Sequence, residues 1–340
     1  MGELYYMKEK KRLIAEFEEQ SFTQILFPHA NTDWVTYLSE AQKTFINIIN
    51  AIRKYQKCLV VVHDVDEVKA HFTDENNLEF VQYTTDDTWA RDCSALSLEQ
   101  NDEIVLLNFI FNGWGNKFDA QKDNLMTQNI AHNYLTCKLK NIDFVLEGGA
   151  IESNGAGTIL TTAACMLNQN RNPHLNPTQI TQKLKEFFGA QHILYLNHGY
   201  LAGDDTDSHI DTLARFIDEK TIMYVKCDNI NDEHYHELKL MEEELQMTAK
   251  EQDLELISLP MCDALYFEGE RLPATYANFL FVNGAVLVPL YGVSQDTEAL
   301  EIFKKTFPQR EIIAIDCSIL IRQHGSLHCV TMNFPANVNI

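Results

Sequence analysis

The stretch TYANFLFVNGAVLVP, residues 275–289, decides the fold class. Two runs of β-forming residues flank Asn283-Gly284, and Asn-Gly between such runs is a strong signal for a β-hairpin. A second hairpin is predicted around Asn154-Gly155. Antiparallel hairpins have no place in a purely parallel sheet, so these stretches argue against a doubly wound α/β fold.

The same order of elements, a helix, then a strand, then a hairpin, recurs five times along the chain. Apolar residues at helical spacing indicate the helices, and short runs of β-forming residues indicate the strands. The predicted helix and strand of the five units lie at 38–52 and 58–62, 126–137 and 143–146, 180–188 and 193–196, 233–250 and 254–259, and 300–307 and 312–315. The hairpin arms of the first four units are predicted at 91–98 and 104–109, near 150 and at 158–161, at 210–217 and 221–225, and at 275–282 and 285–289.

The fifth unit has one predicted arm, at 327–332, and lacks a second. A strand at 23–27, before the first helix, is left over. The simplest resolution is a ring in which this early strand completes the last unit. The sequence therefore predicts an α/β fold that is a closed, five-fold propeller.

Each predicted hairpin begins with polar residues, and equivalent strand ends of a closed ring converge on its axis. These residues are Asp86, Asp87, Trp89, Arg91 and Asp92 in unit one, Glu147 in unit two, Asp204, Asp205, Asp207, His209 and Asp211 in unit three, Asn278 in unit four, and His328 and Cys329 in unit five. Aspartates before strands are usually turn formers, and a lone cysteine in an apolar strand is usually core. Their recurrence at equivalent positions favours a shared pocket.

Local spacing adds detail to this pocket. His209 and Asp211 lie two apart on a predicted strand, so both should face one side. Glu147 precedes Gly148-Gly149, and glycines permit either close backbone approach or a positive φ. Trp89 is either a core residue or a wall that stacks on a flat cation. Arg91 could bind a substrate carboxylate, although pairing with a neighbouring aspartate is the more common arrangement.

The charge balance narrows the partners. The 340 residues include 27 Lys and Arg against 49 Asp and Glu, a formal net charge of −22. Such a surface repels phosphate, which argues against nucleic acid and membranes as partners and favours a cation. The eight cysteines form no Cys-x-x-Cys pair, which suits reduced thiols rather than a zinc ribbon. With no run of signal-peptide type at the start, we expect a cytoplasmic protein.

Four segments carry a family resemblance. They are Thr88-Trp89-Ala90-Arg91-Asp92, Glu147-Gly148-Gly149-Ala150-Ile151, His209-Ile210-Asp211 and Gly325-Ser326-Leu327-His328-Cys329-Val330-Thr331. In this order they resemble the successive motifs of the agmatine deiminase family, which belongs with the bacterial peptidyl-arginine deiminases in the guanidino-group modifying superfamily. Pro273-Ala274-Thr275-Tyr276-Ala277-Asn278-Phe279 also looks like a segment of that family.

The resemblance implies a fold, a reaction and roles for residues. It implies a five-bladed α/β propeller (pentein) of ββαβ units with pseudo-five-fold symmetry, as one catalytic domain over residues 1–340. It implies hydrolysis of agmatine to N-carbamoylputrescine and ammonia, in putrescine biosynthesis from arginine, without metal or organic cofactor. The implied roles are Cys329 as nucleophile, His209 as general acid and base, Asp92 and Asp211 as guanidinium-binding carboxylates, and Glu147 as the remaining pocket carboxylate. Trp89, Asp204 and Asp205 are further candidates for substrate binding, the two aspartates because they crowd the approach to His209.

The sequence also departs from the usual family pattern and leaves alternatives open. Gln323 and His324 stand where glycines are usual, Ser208 where glycine is usual, and Ser326 where asparagine is usual. These changes leave the catalytic side chains intact and bear on the shape of the pocket rim. One alternative is a deiminase of free or peptidyl arginine that uses the same residues. Another is a non-catalytic polyamine-binding protein on the same fold, and a homo-oligomer is possible for any of them.

Overall fold

A computed structural model describes residues 10–133 and 137–340, and its main strands form five small sheets. Each sheet has an antiparallel pair of strands followed by a third strand parallel to the second. One helix of ten or more residues lies in each connection between the second strand and the third, so that every blade is a ββαβ unit. The five-bladed α/β propeller predicted from the sequence is confirmed.

The blades are numbered here in chain order of their first strand. Blade one contains Leu96–Gln100, Glu103–Ile110 and Lys138–Val145; blade two Ile151–Ser153, Thr158–Thr162 and His192–Leu196; blade three Ala214–Phe216, Thr221–Lys226 and Glu255–Pro260; blade four Leu280–Val282, Ala285–Leu290 and Glu311–Asp316; and blade five Thr331–Pro335, Gln20–Leu26 and Lys57–Val62. Lys11–Leu13 adds an edge strand to blade one, Leu78–Gln82 adds one to blade five, and Tyr266–Phe267 pairs separately with Glu270–Arg271.

The connecting helices of blades one to five are Gln121–Ile130, Pro177–Phe188, Tyr235–Gln252, Asp296–Thr306 and Leu38–Ile52. Shorter helices lie at Val65–Lys69, Ala90–Cys93, Gly113–Asn116 and Ala163–Met166, and 3-10 turns at Asp33–Tyr37, Ala131–Asn133, Gly148–Ala150, Ile210–Thr212 and Leu320–Gln323. Among the described residues, no helix is both long and apolar enough to cross a membrane.

Blade five closes the ring with strands from both ends of the fold. Gln20–Leu26 pairs antiparallel with Thr331–Pro335, with Ile25 opposite Thr331. The rings of Phe22 and Phe334 stack across this pair at 4.5 Å and are fully buried. Burying each ring stabilises the fold by about 1.5–3 kcal/mol, and their stacking adds about 0.5–1.5 kcal/mol. The closure that the leftover strand predicted is therefore a packed, hydrogen-bonded seam.

The first hairpin arms of units one and three begin later in the chain than predicted. Short helical turns, not strand, occupy Ala90–Cys93 and Ile210–Thr212, and the strands begin only at Leu96 and Ala214. His209 and Asp211 therefore do not lie on a strand. Side-chain bonds to backbone favour such turns: Thr212 Oγ1 donates to the His209 carbonyl at 2.8 Å.

Unit two also differs from its prediction. The helix ends at Ile130, Cys137 directly precedes a strand, and Tyr134 lies outside the described residues. The strand runs over Lys138–Val145 rather than 143–146. Its first half is largely exposed, so it carries none of the apolar run by which a buried strand is recognised.

Candidate active site

The turns that precede the first strands of the five blades, together with Thr162 at the end of the second strand of blade two, form a closed ring of contacts. Between blades five and one, Arg91 N donates to the Cys329 carbonyl at 3.1 Å, and between blades one and two, Gly149 N donates to Asp92 Oδ1 at 2.9 Å. Between blades two and three, Thr162 Oγ1 donates to the Ser208 carbonyl at 2.7 Å. Asn278 of blade four donates through Nδ2 to the Asp211 carbonyl of blade three at 3.3 Å and accepts at Oδ1 from Cys329 N of blade five at 3.3 Å. Each bond joins one blade to the next. The predicted convergence of these positions on the axis is confirmed.

A cavity of about 630 Å³ opens onto this ring, and Cys329, Asp92 and Trp89 lie in its wall. Its lining is strongly acidic and includes Asp33, Asp86, Asp87, Asp92, Asp119, Asp123, Asp204 and Asp205. Gly325 lies against the Trp89 ring, because a Cβ at residue 325 would come within 2.1 Å of Trp89 Cζ3. The cavity is therefore suited to a small cation, with an aromatic wall beside the thiol.

Cys329 is buried next to an amide and a carboxylate. Its Sγ lies 3.4 Å from Asn278 Oδ1 and 4.0 Å from Asp211 Oδ2. Burial, together with the charges of Asp211 and Asp92, raises the pKa of the thiol well above its ordinary value. The thiol is therefore protonated while the cavity holds no cation.

Asp211 presents one oxygen without a hydrogen-bond partner. Its Oδ2 accepts from His328 Nδ1 at 2.7 Å, while the buried Oδ1 has no such partner in the described part of the chain. Burial alone would raise the pKa of Asp211, but the hydrogen bond and charge of His328, aided by His209 and Arg215, hold that pKa below its usual value. A buried, ionised oxygen of this kind is an acceptor for an incoming N–H donor.

Asp92 and His209 form the second charged pair. Asp92 Oδ1 accepts from Gly149 N and Oδ2 from Trp114 Nε1, each at 2.9 Å, and His209 Nδ1 lies 3.7 Å from Oδ1. Burial would lower the pKa of His209, but Asp92 and its other neighbours raise it to about 10. Burial raises the pKa of Asp92, whereas His209 and the hydrogen bond from Trp114 lower it. Because both Asp92 oxygens accept hydrogen bonds, we place the proton of this pair on the imidazole. His209 Nε2 is buried and makes no hydrogen bond among the described residues.

Glu147 lies beside His209, and Glu147, His209 and Asp211 are all buried next to the cavity rather than among the residues that line it. Arg171 Nε donates to both of its oxygens, at 2.8 and 2.9 Å, and Arg171 Nη1 pairs with Asp207 at 2.8 Å. Glu147, Cys165 and His209 each place one atom that could bind a metal ion within 4.8 Å of the other two. Arg171 already supplies the cation that Glu147 requires, so this donor set does not fit a metal.

Trp89, Asp204 and Asp205, the remaining candidates for substrate binding, all line the cavity but differ in how their side chains are held. Trp89 lines the cavity, and its Nε1 donates to Asp87 Oδ2 at 2.7 Å. Asp204 also lines it, but its oxygens accept from Thr206 and Ser208 and so hold its own loop. Asp205 is different, because its side chain is 44% exposed with His324 Nδ1 3.8 Å away.

Arg91 does not reach this cavity. Its Nη2 lies 3.1 Å from Glu16 Oε2 and 2.6 Å from Asn333 Oδ1. The partner of Arg91 is therefore a glutamate from the N-terminal segment, not the neighbouring aspartate expected from the sequence.

Trp114 is a site residue that the sequence interpretation missed. It adopts φ +54°, between Gly113 at +64° and Gly115 at +85°, and this left-handed run delivers its indole N–H to Asp92. Positive φ is costly for a bulky residue, and such strain concentrates at functional sites. The Gly-Trp-Gly sequence was a usable signal, whereas nothing in the neighbourhood of Arg171 marked it as the partner of Glu147.

Two of the departures from the family pattern fall at special backbone positions. Ser208 and His324 adopt φ +66° and +65°, the left-handed region in which glycine is favoured. His324 Nδ1 approaches the Gly203 carbonyl at 2.6 Å, and Gln323 Nε2 donates to the Asp33 carbonyl at 2.8 Å. The side chains of His324 and Gln323 line the cavity, so these departures do shape its rim.

Comparison with known proteins agrees with this geometry. Residues 12–335 match the family model of the Porphyromonas-type peptidyl-arginine deiminases. The agmatine deiminase of Pseudomonas aeruginosa is 28% identical, over 96% of this chain and 95% of its own. The structure of a C. jejuni agmatine deiminase with substrate bound, in which a serine replaces a cysteine, is 40% identical with a TM-score of 0.94, over 99% of this chain and 100% of that one. A Porphyromonas gingivalis structure named "Putative Arginine Deiminase" is 45% identical with a TM-score of 0.93, over 97% and 100%. The chain therefore belongs to the Porphyromonas-type peptidyl-arginine deiminase family.

Proposed function

We propose that this protein is an agmatine deiminase, which hydrolyses the guanidinium of agmatine to N-carbamoylputrescine and ammonia, on the way from arginine to putrescine. One observation carries the proposal. The Cys329 thiol lies 4.0 Å from one oxygen of buried Asp211, whose other oxygen has no hydrogen-bond partner among the described residues. A guanidinium has planar N–H edges that satisfy such an oxygen while its carbon lies near the sulfur. The agmatine deiminases among the relatives support the same reaction.

Binding of the cation would activate the nucleophile. Asp211 and Asp92 clamp the guanidinium by charge-assisted hydrogen bonds. The same two carboxylates raise the pKa of the Cys329 thiol in the empty cavity, so neutralising them lowers it. The thiol proton is released, and the thiolate forms next to the carbon that it attacks.

Attack gives a tetrahedral adduct with a new C–S bond. The His209 imidazolium, whose pKa is about 10, is protonated at neutral pH and donates its proton to one amino group. The C–N bond breaks, ammonia leaves, and a covalent amidino-thioether remains on Cys329.

Water then attacks the amidino-thioether, and neutral His209 takes a proton from that water. The second tetrahedral adduct collapses as its hydroxyl becomes the carbonyl of the product. The C–S bond breaks, and the sulfur recovers a proton from that hydroxyl. The proton released at the start ends on ammonia, so the balance is guanidinium plus water to ureido product plus ammonium.

Agmatine is favoured over arginine by the charges of the cavity. Arginine carries an α-carboxylate, which requires a cation. The lysine in the lining, Lys117, already has its Nζ at 2.8 Å from Asp207 Oδ1 and 2.6 Å from the Asp205 carbonyl. Arg91 is paired with Glu16 and does not line the cavity. The described residues of the lining thus offer no unpaired Lys or Arg for a carboxylate, while Asp205 can attract the distal ammonium.

We further propose that the chain acts as one catalytic domain, because nucleophile, acid and clamp come from blades five, three and one. The roles of Cys329, His209, Asp92, Asp211 and Glu147 are part of this proposal, with Glu147 acting through His209. Absence of a cofactor, a cytoplasmic location and a homo-oligomer stay predictions.

The test is ammonia release by the purified protein with agmatine and, separately, arginine. We expect agmatine to be favoured in kcat/KM by about 100-fold or more, the size of discrimination that an unpaired buried charge produces. Cys329→Ala should abolish turnover, whereas Cys58→Ala, at a buried cysteine in the third strand of blade five, Lys57–Val62, should keep it. Equal use of arginine would contradict the substrate assignment, and turnover by Cys329→Ala would contradict the mechanism.

A further inference from the structure

His328, the residue before the nucleophile, is almost completely buried between two carboxylates. Its Nδ1 lies 2.7 Å from Asp211 Oδ2, and its Nε2 lies 2.6 Å from Glu16 Oε2. Its backbone N–H donates to Asn278 Oδ1 at 2.8 Å, which fixes the ring's position. His328 does not line the substrate cavity; with Glu16 it lines a separate cavity of about 70 Å³. It therefore contacts Asp211 Oδ2 from the side of this second cavity.

The two short contacts determine the protonation of the ring. A neutral imidazole has one N–H, so one of its nitrogens would face a carboxylate with a lone pair. Two contacts of 2.6–2.7 Å to ionised carboxylates require both nitrogens to donate. The ring is then an imidazolium, unless one carboxylate carries the proton instead.

Glu16 is the less suitable place for that proton. Two guanidinium groups approach the same oxygen, Arg91 Nη2 at 3.1 Å and Arg215 Nη2 at 3.2 Å. These cations and His328 hold the pKa of Glu16 below its usual range, although burial alone would raise it.

The charges of the buried group balance when the His328 ring is cationic. Three carboxylates, Asp211, Glu16 and Glu152, face the cations Arg91 and Arg215, and Arg215 is paired with Glu152. An imidazolium at His328 makes three cations against three anions. With a neutral ring, one negative charge would be uncompensated in a fully buried region, or a carboxylate such as Glu152, whose pKa burial raises, would have to take up a proton.

We propose that His328 is a positioning residue that donates hydrogen bonds from both ring nitrogens, keeps Asp211 ionised in the empty enzyme and turns the unpartnered Oδ1 of Asp211 toward the guanidinium. Glu16, from the segment before the first strand of the closing seam, holds His328 in this state. The proposal rests on the proposed function for its kinetic consequences, but the charge state of His328 can be measured without any substrate.

The consequence concerns the acid side of the pH profile. Without the imidazolium, Asp211 would gain a proton at higher pH, and the guanidinium would have to displace that proton to bind. The loss would appear mainly in KM and would be greatest at low pH. The other charged or titratable groups that face Asp211 are His209, Arg215, Arg91, Asp92, Glu152 and Cys329.

The first test is ¹⁵N NMR of the imidazoles in the substrate-free protein, with the His328 signal assigned by its loss in His328→Gln. We expect the doubly protonated signature at neutral pH, because both ring nitrogens face carboxylate oxygens at 2.6–2.7 Å. A neutral His328 ring at neutral pH would overturn the proposal. Because no substrate is involved, the result is independent of whether agmatine is the substrate.

The second test is the pH profile of kcat/KM. For His328→Gln we expect the acid limb to move up by about one pH unit or more, a loss of about tenfold near pH 6 that shrinks toward pH 8. Glu16→Gln should move it in the same direction by less, and His192→Gln, at an exposed histidine, should leave it unchanged. A loss that is equal at all pH values would indicate a merely structural role and would overturn the proposal. If His328→Gln does not fold, the pH profile of Glu16→Gln decides the question: an acid limb that does not move would overturn the proposal.

Discussion

Gly149 lies among three charged side chains of the site, and adding a single methyl group there is a sharp test of the geometry. A Cβ on Gly149 would lie 2.7 Å from His209 Nδ1, 2.9 Å from Asp92 Oδ1 and 3.1 Å from Asp211 Oδ2. These distances fall short of an ordinary 3.4 Å contact by 0.7, 0.5 and 0.3 Å. Gly149 does not have a positive φ, so alanine fits its backbone and the strain falls on the side chains.

The expected effect of Gly149→Ala is a selective loss of catalysis. A misplacement of about 1 Å can reduce an enzymatic rate about 100-fold, so displacing His209 by 0.7 Å with smaller shifts of both aspartates should cost about 30- to 100-fold in kcat/KM. That corresponds to about 2–3 kcal/mol of transition-state stabilisation. Overpacking of the site should cost about 1–3 kcal/mol of folding stability.

The adjacent glycine provides a matched control. A Cβ on Gly148 would lie 2.2 Å from the Arg91 carbonyl oxygen, which is backbone and cannot move aside without opening the ring. Gly148→Ala should therefore lower Tm far more than Gly149→Ala. Ammonia release and thermal melts of both variants separate the two effects. The reasoning is refuted if Gly149→Ala keeps kcat/KM within about threefold of the wild type, or if it unfolds as readily as Gly148→Ala.

Two further predictions concern the walls of the cavity. Trp114→Phe removes the N–H donor to Asp92 Oδ2 but keeps an aromatic ring, and loss of a charge-assisted hydrogen bond of about 1.5–3 kcal/mol should lower kcat/KM about 10- to 100-fold. The control, Trp34→Phe, loses a hydrogen bond to the neutral hydroxyl of Thr88 and should change kcat/KM less than about threefold. Equal losses in the two variants would contradict the role of Trp114. Burial, together with the charges of Asp123 and Asp33, raises the pKa of Asp87 to about 8. The stability that the protonated carboxyl group of Asp87 contributes is fully present below the pKa of the unfolded chain, about 3.9, and is lost as the pH rises toward 8. Asp87→Asn should thus melt at a higher temperature than the wild type, by an advantage that grows between pH 5 and about pH 8 to about 2 °C or more, and an advantage independent of pH would show that Asp87 does not titrate in this window.

The blade count and the ring closure could be predicted because each depends on short-range patterns. Asn283-Gly284 and the leftover strand at 23–27 are local signals in the sequence. Each signal alone is weak, but the order of helix, strand and hairpin recurs five times, which makes the prediction of each unit more reliable. The boundaries at Arg91 and Ile210 could not be predicted, because a helical turn of three or four residues has no periodicity of its own. Such turns are stabilised by contacts with the next blade, which a linear pattern does not contain.

The candidate site divides in the same way. Cys329, His209, Asp92 and Asp211 were found because they occupy equivalent positions in successive units and match family motifs. The partners that set their charges were not found, since Glu16 lies 312 residues from His328 and 199 residues from Arg215 along the chain. Pairing of buried charges depends on which side chains meet at the axis, and spacing along the sequence says nothing about that.

The seam between Gln20–Leu26 and Thr331–Pro335 has a consequence for how the enzyme becomes active during synthesis. Cys329 lies two residues before the strand that completes the seam, so the ribosome has already made all four other blades when the nucleophile emerges. This pairing joins residues about three hundred positions apart, and such long-range contacts form late in folding. An incomplete or open ring would carry the acidic residues without the thiol in place among them. The thiol therefore becomes reactive only after the whole ring has assembled. Proteolytic release of the 20–26 strand should abolish the activity of the enzyme while leaving every catalytic side chain chemically intact.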